Sequence, residues 1–239
     1  KDWIFLHRYP VLHRGRGCPS SSRASPRPTI RPMPSQRPTV REAFKKGVDL
    51  LQTERVPFVV IGGLAAGLHG EPRYTEDADF MITLSTTKVF RFAEKAKAQG
   101  FDIEPDLAET QWLGCGVLRL WLGPPGEQTP VDLMSCNSAF LREVSWRAQQ
   151  GRCLGIQVPI ASREDMLLFK LCAWRIKDVP DAIAIVRRHE EKLDVPYLHK
   201  WASWLSEKSP KQLGDVPRRL QALLEKSPLP PPEGFQGGR

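Results

Sequence analysis

The segment spanning residues 59–82, VVIGGLAAGLHGEPRYTEDADFMI, constrains the fold of this chain more than any other part of the sequence. A short apolar run ends at a glycine pair, Gly62 and Gly63, as a short buried strand often does. The letters GLAAGLHG then predict a short helix, and ADFMITL predicts a second strand. Because residues i and i+2 of a strand face the same side, we expect Asp77 and Asp79 to project together.

Two carboxylates this close require a positive partner. Like charges repel, and burying them unpaired costs several kcal/mol. Mg²⁺ is a suitable partner, because it binds one or two protein carboxylates together with phosphate oxygens of a substrate. Gly62 and Gly63 lack a Cβ, and the free amides of the helix that they open suit a phosphate. The segment therefore predicts a phosphate-binding turn beside a metal site, a layout suited to nucleotidyl transfer.

A third carboxylate is needed if the site holds two metal ions. Asp132, in the strand-like letters PVDLM, is the candidate, because its apolar neighbours would normally exclude a charge. We expect it to bind the catalytic metal and to help deprotonate an acceptor hydroxyl; the alternative is an acid on an exposed strand. Asp102 and Glu104 share the i, i+2 spacing, but the proline that follows them indicates an edge strand.

The remaining patterns predict an α+β fold. A mixed-sheet core over residues 39–160 is expected to precede a helical C-terminal subdomain over residues 161–226. The letters SAFLREVSWRAQQG predict a helix, and one helical run is expected from SRED to HEEK. The Pro-, Ser- and Arg-rich residues 1–38 and the terminal residues 227–239 are predicted to be disordered.

The net charge of +8 does not by itself indicate a nucleic-acid-binding face. Residues 1–39 carry eight Lys or Arg and one Asp, whereas the rest of the chain carries 27 basic and 26 acidic residues. The core is therefore close to neutral, and a basic arm that touches RNA is the alternative to a plain tail.

The five cysteines are scattered without a C-x-x-C, as is typical of reduced thiols. No apolar run approaches the ~20 residues of a membrane helix, so a cytoplasmic protein without a membrane partner is expected.

These residues resemble a known family. IGGLAAGLHG followed by RYTEDADFMI is similar to the G-[GS]…D-x-D signature of the polymerase-β-like nucleotidyltransferase superfamily. The form R-x-T-x-D-x-D resembles the AbiEii-type nucleotidyltransferases of type IV toxin–antitoxin systems, and KLCAWRIKDVPDAIAI resembles a helix pattern of that family. Together with Asp132, the matches span about residues 55–190. Gly63 stands where many superfamily members have Ser, which leaves the choice of substrate open.

The resemblance implies a nucleotidyltransferase fold, an NTP donor and Mg²⁺, with two ions expected and Mn²⁺ as the alternative. It implies metal-binding and catalytic roles for Asp77, Asp79 and Asp132. In toxin members the acceptor is RNA, with tRNA ends the best-known class, and an antitoxin protein is a candidate partner. The chain is thus predicted to be a metal-dependent nucleotidyltransferase with an RNA acceptor. The alternatives are an inactive nucleotide-binding antitoxin or regulatory module and a small-molecule (antibiotic) nucleotidyltransferase.

The basic residues of the second motif are predicted to bind the triphosphate. Lys170 and Lys177 are seven residues apart and are expected to share a helix face, with Arg175 beside it. Arginine offers a fork to phosphate, and lysine offers a point charge. Asp178 and Asp181 are expected to orient these cations or to hold a helix turn. The alternative is a solvated helix face on which Lys177 and Asp181 form an i, i+4 pair.

Residues close to the acid pair allow two interpretations. Arg73 is expected to contact phosphate and Thr75 to orient an aspartate, although both also fit an ordinary turn. His69 is interpreted as a capping or packing residue rather than a base. Trp201 and Trp204, at i and i+3, are expected to pack against a neighbouring helix.

Overall fold

The computed structural model describes residues 37–84, 86–103, 116–135, 138–208 and 213–232. These described residues belong to one compact unit. The predictions for residues 1–36, for Glu104 and for residues 233–239 lie outside the described residues.

The strands of the described chain belong to one mixed sheet. They are β1 (Phe58–Val60), β2 (Ala78–Ile82), β3 (Phe101–Ile103), β4 (Gly116–Leu122), β5 (Thr129–Ser135), β6 (Gln149–Cys153) and β7 (Ile156–Ile160). This seven-stranded sheet has the order β3-β4-β5-β2-β1-β7-β6. β2 runs antiparallel to β1 and parallel to β5, and β4 runs antiparallel to β5. The strand that carries Asp79 is therefore central, and it lies beside the strand that carries Asp132.

Helices cover the sheet and form the C-terminal half of the chain. In chain order they are α1 (Val40–Thr53), α2 (Gly62–His69), α3 (Thr86–Ala98), α4 (Ala139–Arg147), α5 (Arg163–Ala173), α6 (Asp178–His189), α7 (Val195–Lys208) and α8 (Val216–Leu224). α1 begins with a capping box, in which Thr39 accepts from the Glu42 N–H and the Glu42 side chain accepts from the Thr39 N–H. This sheet followed by helices confirms the predicted fold class.

Successive side chains of β2 point to opposite sides of the sheet, which places the core residues Ala78 and Phe80 on one side and Asp79 on the other. Ala78, Phe80 and Val131 are fully buried, and Phe44 of α1 stacks on Phe80 with 5.3 Å between the ring centroids. Asp79 alternates with Ala78 and Phe80, so it faces the opposite side of β2. Met81, which shares the Asp79 side of β2, is also buried, so the polar site is confined to the start of this strand.

The structure overturns two of the helix predictions. α4 ends at Arg147, and residues 149–153, assigned in part to that helix, form β6 instead. β6 and β7 form a hairpin whose turn consists of Leu154 and Gly155, both with positive φ (47° and 88°). Two positive φ values match the twist of a tight hairpin, and this turn outweighs the helical tendency of the preceding letters.

The helical run from SRED to HEEK is two α-helices followed by a short 3₁₀ helix (Glu190–Lys192), rather than one helix. α5 is capped by Ser162, whose side chain accepts from the Asp165 N–H, and it ends at Trp174 in the left-handed conformation. α6 starts at Asp178 with Lys177 as its N-cap residue. Lys170 and Lys177 therefore do not share a helix face, and the prediction that they do is wrong.

Residues at both predicted boundaries of the tails contact the core. The Thr129 hydroxyl donates to the Pro38 carbonyl, and the indole Nε1 of the fully buried Trp174 donates to the Pro230 carbonyl at 3.2 Å. None of the helices in the described part of the chain has the length and apolar character that crossing a membrane requires.

Candidate active site

Three carboxylates meet beside the start of β2. Asp79 of β2 lies directly opposite Asp132 of β5, because the two parallel strands are paired in that register. Asp77 stands one residue before β2. Each of these partly buried aspartates offers one oxygen to a group in which all oxygens lie within 4.8 Å of one another. The structure thus brings together the three acids that the sequence singled out.

The glycine pair fits closely over Asp79. Gly62 opens α2 with a φ of 70°, and a Cβ at this position would lie 1.8 Å from the Asp79 Oδ2. The backbone N–H of Gly63 donates a hydrogen bond to the Asp79 carboxylate. The residue before them, Ile61, is the N-cap and has no capping side-chain bond. The start of α2 therefore holds the acid and leaves its other amides for a ligand.

The electrostatics of Asp79 indicate a site in which negative charge is in excess. Burial, together with the charges of Asp77 and Asp132, raises the pKa of Asp79 from 3.8 to about 7. Lys170 and the Gly63 N–H act in the opposite direction but do not cancel these effects. A cation between the carboxylates would relieve this repulsion.

Thr75 connects the loop before β2 to the acid cluster. Its hydroxyl donates to the Asp77 carboxylate at 2.6 Å, which is the orienting contact that the sequence suggested. A Cβ at Gly63 would lie 2.8 Å from the Thr75 Oγ1. The threonine hydroxyl thus occupies the space that a side chain at position 63 would need, which explains the glycine there.

Arg119 of β4 is a residue of the site that the sequence analysis missed. It lies directly opposite Asp132 in the antiparallel pairing of β4 and β5. Its Nε donates to Asp132 Oδ1 at 2.7 Å, and its Nη2 donates to Oδ2 at 2.6 Å. This is the two-bond fork that arginine forms with carboxylates. The third acid is therefore held by a guanidinium.

Lys170 is a buried cation between two buried acids. Its Nζ lies 2.9 Å from Asp178 Oδ1 and 2.9 Å from Asp181 Oδ2, and its side chain is 5% exposed. Burial tends to raise the pKa of Asp178, but Arg175 and Lys170 outweigh it and leave the pKa below its ordinary value. Arg73 and Lys170 do the same for the pKa of Asp181. These groups form one satisfied ionic network.

The remaining predicted phosphate ligands lie around this network. Arg73 forms a two-bond contact with Asp181, through Nε at 2.8 Å and Nη2 at 2.9 Å. Arg175 donates from its Nε to Asp178 at 2.7 Å, yet its side chain remains 57% exposed. Lys177 is exposed at the start of α6. Arg73 and Arg175 pair with acids in this structure, and the phosphate-binding roles of all three residues stay predictions.

The network faces the acid cluster. The charges of Asp79 and Asp77 raise the pKa of Arg175, although the contact with Asp178 contributes more and burial acts against both. Lys170 lowers the pKa of Asp79. Basic groups of α5 and of the turn before α6 therefore lie on one side of the carboxylates.

Other candidate residues have structural roles. The Nε2 of His69 lies 2.7 Å from the Ala161 carbonyl oxygen, consistent with a packing residue. Asp102 is exposed on the edge strand β3 and accepts from the Gln128 side chain at 2.7 Å. Trp201 is buried and contacts Trp204 with 5.4 Å between the ring centroids.

A cleft adjoins the acid cluster through Thr75. Its volume is about 470 Å³. The residues that line it include Arg37, Arg41, Arg73, Tyr74 and Thr75. The Tyr74 side chain is largely open to solvent, with 78% of the residue exposed.

The chemistry of the donor set fits a hard divalent cation. Three carboxylates supply only oxygen ligands, which Mg²⁺ and Mn²⁺ prefer. The backbone at Gly62 packs so closely against the Asp79 carboxylate that no side chain would fit between them. Asp77, Asp79 and Asp132 are therefore the residues that would hold a metal here.

No protein-family model and no curated protein sequence matches the chain. Among solved structures, it is similar to an antigenic nucleotidyltransferase-like protein from Paracoccidioides brasiliensis (17% identity, TM-score 0.46, covering 80% of this chain and 94% of that one). It is also similar to the lincosamide antibiotic adenylyltransferase LnuA (17% identity, TM-score 0.43, covering 59% of this chain and 94% of that one). A third similar structure is JHP933 from Helicobacter pylori (19% identity, TM-score 0.41, covering 78% of this chain and 83% of that one). Likeness at this level does not establish an activity for this chain, and the AbiEii-type specificity stays a prediction.

Proposed function

We propose that this protein is a metal-dependent nucleotidyltransferase that moves an NMP from an NTP to an acceptor hydroxyl. The observation that carries the proposal is the convergence of Asp77, Asp79 and Asp132, whose oxygens lie within 4.8 Å of one another. The start of α2 lies against the same carboxylates through Gly62 and Gly63. Metal ligands beside free helix amides are what a nucleoside triphosphate with its divalent ion requires.

The acids have separate roles in the proposed reaction. Bound divalent ions would neutralise the phosphates and lower the pKa of the attacking hydroxyl. Asp77, oriented by Thr75, and Asp79, held by Gly63, fix the donor side of the site. Asp132 accepts the proton of the acceptor hydroxyl. The bond from the acceptor oxygen to the α-phosphorus forms as the bond to the pyrophosphate oxygen breaks.

The basic network supplies the countercharge for the triphosphate. Arg175 and Lys177 are both exposed, and Arg175 interacts with the charges of Asp77 and Asp79. Lys170 is buried, and it acts by holding Asp178 and Asp181 in place. We infer that Arg175 and Lys177 contact the β- and γ-phosphates, and that Lys170 positions the turn that carries them.

The cleft beside Thr75 favours RNA as the acceptor. Arg37 and Arg41 line it together with the exposed aromatic ring of Tyr74. Arginines that contact phosphate and an aromatic ring that stacks on a base are the usual components of a single-stranded RNA site. A role as the toxin of a toxin–antitoxin pair, with an antitoxin protein as partner, is suggested by the resemblance of the motifs.

The test is transfer from each α-labelled NTP, with Mg²⁺, to total cellular RNA and protein. We expect label in RNA with one preferred NTP, and a loss of at least ~10³-fold in Asp77→Asn, because the ligand set is incomplete. Asp102→Asn is the matched control, since this aspartate is exposed on β3, away from the cluster. Tyr74→Ala is expected to lower transfer to RNA more than it lowers NTP binding.

Each alternative has its own outcome when NTP binding and pyrophosphate release are also measured and an aminoglycoside is offered as a further acceptor. NTP binding without pyrophosphate release on any acceptor would favour a nucleotide-binding antitoxin or regulatory module. Label that enters an aminoglycoside but neither RNA nor protein would identify a small-molecule enzyme. Full activity of Asp77→Asn would exclude the proposed site.

A further inference from the structure

We propose that Arg119 competes with a divalent ion for Asp132, and so sets the metal concentration at which the three-carboxylate site fills. The inference rests on the proposed function, because it concerns the metal that this function needs. It assigns Arg119 as a positioning residue, since the side chain acts through Asp132.

The Arg119 fork engages both oxygens of the acid. The two contacts, at 2.7 and 2.6 Å, have the length and the parallel arrangement of a charge-assisted pair. A carboxylate offers about four lone-pair sites, and the fork takes one on each oxygen. A metal ion at Asp132 must therefore share the carboxylate with a cation or displace it.

The backbone enforces this pairing. β4 and β5 are paired continuously from Gly116 opposite Ser135 to Leu122 opposite Thr129, which leaves no freedom to slip. In the same register, Asp132 lies opposite Arg119 on one side and Asp79 on the other. A row of three charged side chains thus crosses the sheet, and the guanidinium is its only positive member.

The surroundings of Arg119 allow the guanidinium to leave Asp132. The Arg119 side chain is 43% exposed, whereas the Asp132 side chain is 15% exposed. The Arg119 Cζ lies 5.4 Å from the ring centroid of Trp121, two residues further along β4. A guanidinium over an indole is favourable. Because the side chain is already partly exposed, Arg119 can turn away from Asp132 into solvent without being buried unpaired.

Two consequences follow for the metal-free protein. Arg119 reduces the repulsion among the three carboxylates, which favours the folded site before any ion is present. It also opposes the ion that Asp132 would bind, both by occupying the oxygens and by charge repulsion. The site is thus expected to bind one ion at Asp77 and Asp79 more readily than a second ion at Asp132.

The test uses the protein with Mn²⁺ alone, followed by electron paramagnetic resonance and calorimetry. Arg119→Gln is expected to bind the weaker of the two ions at least ~10-fold more tightly than wild type, because a bidentate charged contact no longer opposes it. Arg119→Lys keeps the charge but loses the fork, and its affinity is expected to be intermediate. Arg152→Gln, an exposed arginine on the edge strand β6, matches the charge change and is expected to behave as wild type.

A second measurement uses wild-type protein and does not depend on a variant that folds. In ¹⁵N spectra of arginine side chains, the Arg119 Nε signal is expected to shift as Mg²⁺ is added, while the Arg152 signal stays in place. The inference is overturned if Arg119→Gln binds Mn²⁺ no more tightly than wild type does. It is also overturned if the Arg119 Nε signal does not shift when Mg²⁺ is added. If wild type nevertheless binds Mn²⁺ and transfers nucleotides, the proposed function stands. If neither wild type nor Arg119→Gln binds Mn²⁺, both fail.

Discussion

At the scale of single residues, Gly62 is the position where a side chain conflicts most with the site. Its φ of 70° suits glycine, and a Cβ would lie 1.8 Å from the Asp79 Oδ2. We predict that Gly62→Ala destabilises the protein by more than the ~1–2 kcal/mol of a left-handed backbone alone, and that it abolishes Mn²⁺ binding because Asp79 must move. Urea unfolding and a Mn²⁺ titration measure the two effects.

Gly100→Ala is the matched control for this prediction. Gly100 also has a positive φ, 86°, but nothing lies within 4 Å of the position of its Cβ. This variant should show the backbone effect alone. Equal losses of stability in the two variants would mean that contact with Asp79 is not what excludes a side chain at position 62.

The raised pKa of Asp79 predicts how stability depends on pH. The pKa is about 7 in the folded protein, against an ordinary value of 3.8. Between these values the folded state holds a proton that the unfolded state releases, so the stability of metal-free protein falls as the pH rises. We predict that Asp79→Asn is more stable than wild type by about 1–3 kcal/mol at pH 8 and gains nothing at pH 3.

Thermal unfolding in the presence of a chelator checks this prediction. Asp102→Asn, which alters an exposed aspartate on β3, is expected to change the stability little at either pH. A gain for Asp79→Asn that is the same at pH 3 and pH 8 would show that the charge of Asp79 is not its cause.

The acids and the glycine pair were predictable from sequence, whereas Arg119 was not. Asp77 and Asp79 are neighbours through strand geometry alone, and the glycines stand directly after a strand. Arg119 finds its partner only through the register of β4 and β5. A two-residue turn would have fixed that register, but the loop over residues 123–128 is longer.

At the scale of elements, the break between α5 and α6 shows what periodicity cannot reveal. Trp174 adopts φ 42° and ψ 35°, a conformation that its residue type does not predict. Its burial and its bond to the Pro230 carbonyl stabilise that conformation, and both are tertiary contacts. A sequence signal did exist: Pro180 lies in the first turn of α6, where proline is tolerated, and it would break a continuous helix.

The Lys170 network predicts a large effect of a single substitution between these helices. Lys170→Met would leave Asp178 and Asp181 buried without their shared cation. Removing one partner of a buried ion pair costs about 3–5 kcal/mol, so we predict a loss of this order in urea unfolding. The combination of Lys170→Met with Asp178→Asn and Asp181→Asn is expected to recover part of that loss.

The control for this prediction is an exposed pair. Lys45 and Asp49 form an i, i+4 contact with side chains 63% and 53% exposed. Lys45→Met is expected to change the stability by no more than about 0.5 kcal/mol. A similarly small effect of Lys170→Met would indicate that the network is solvated in solution.

At the scale of the whole molecule, the proposed metal binding is expected to be coupled to folding. An ion that binds only the folded state stabilises it, by about 2.7 kcal/mol at 100 times the dissociation constant. We therefore predict that Mn²⁺ raises the unfolding temperature of wild type, and that Asp77→Asn loses most of this rise. Thermal unfolding with and without Mn²⁺ is the measurement. Asp102→Asn should keep the rise, and a rise retained by Asp77→Asn would place the ion elsewhere.

The ionic network also limits which segments of this protein can be exchanged for those of a similar protein. Arg73 belongs to the loop before β2, whereas its partner Asp181 belongs to α6, more than a hundred positions later. If residues 162–226 were replaced by the helices of another protein, Arg73 would remain but its partner Asp181 would be exchanged. Such a hybrid should fold well only when the residues at positions 73, 170 and 181 all come from the same protein. The border between the sheet and the C-terminal helices is therefore a poor place to join two sequences.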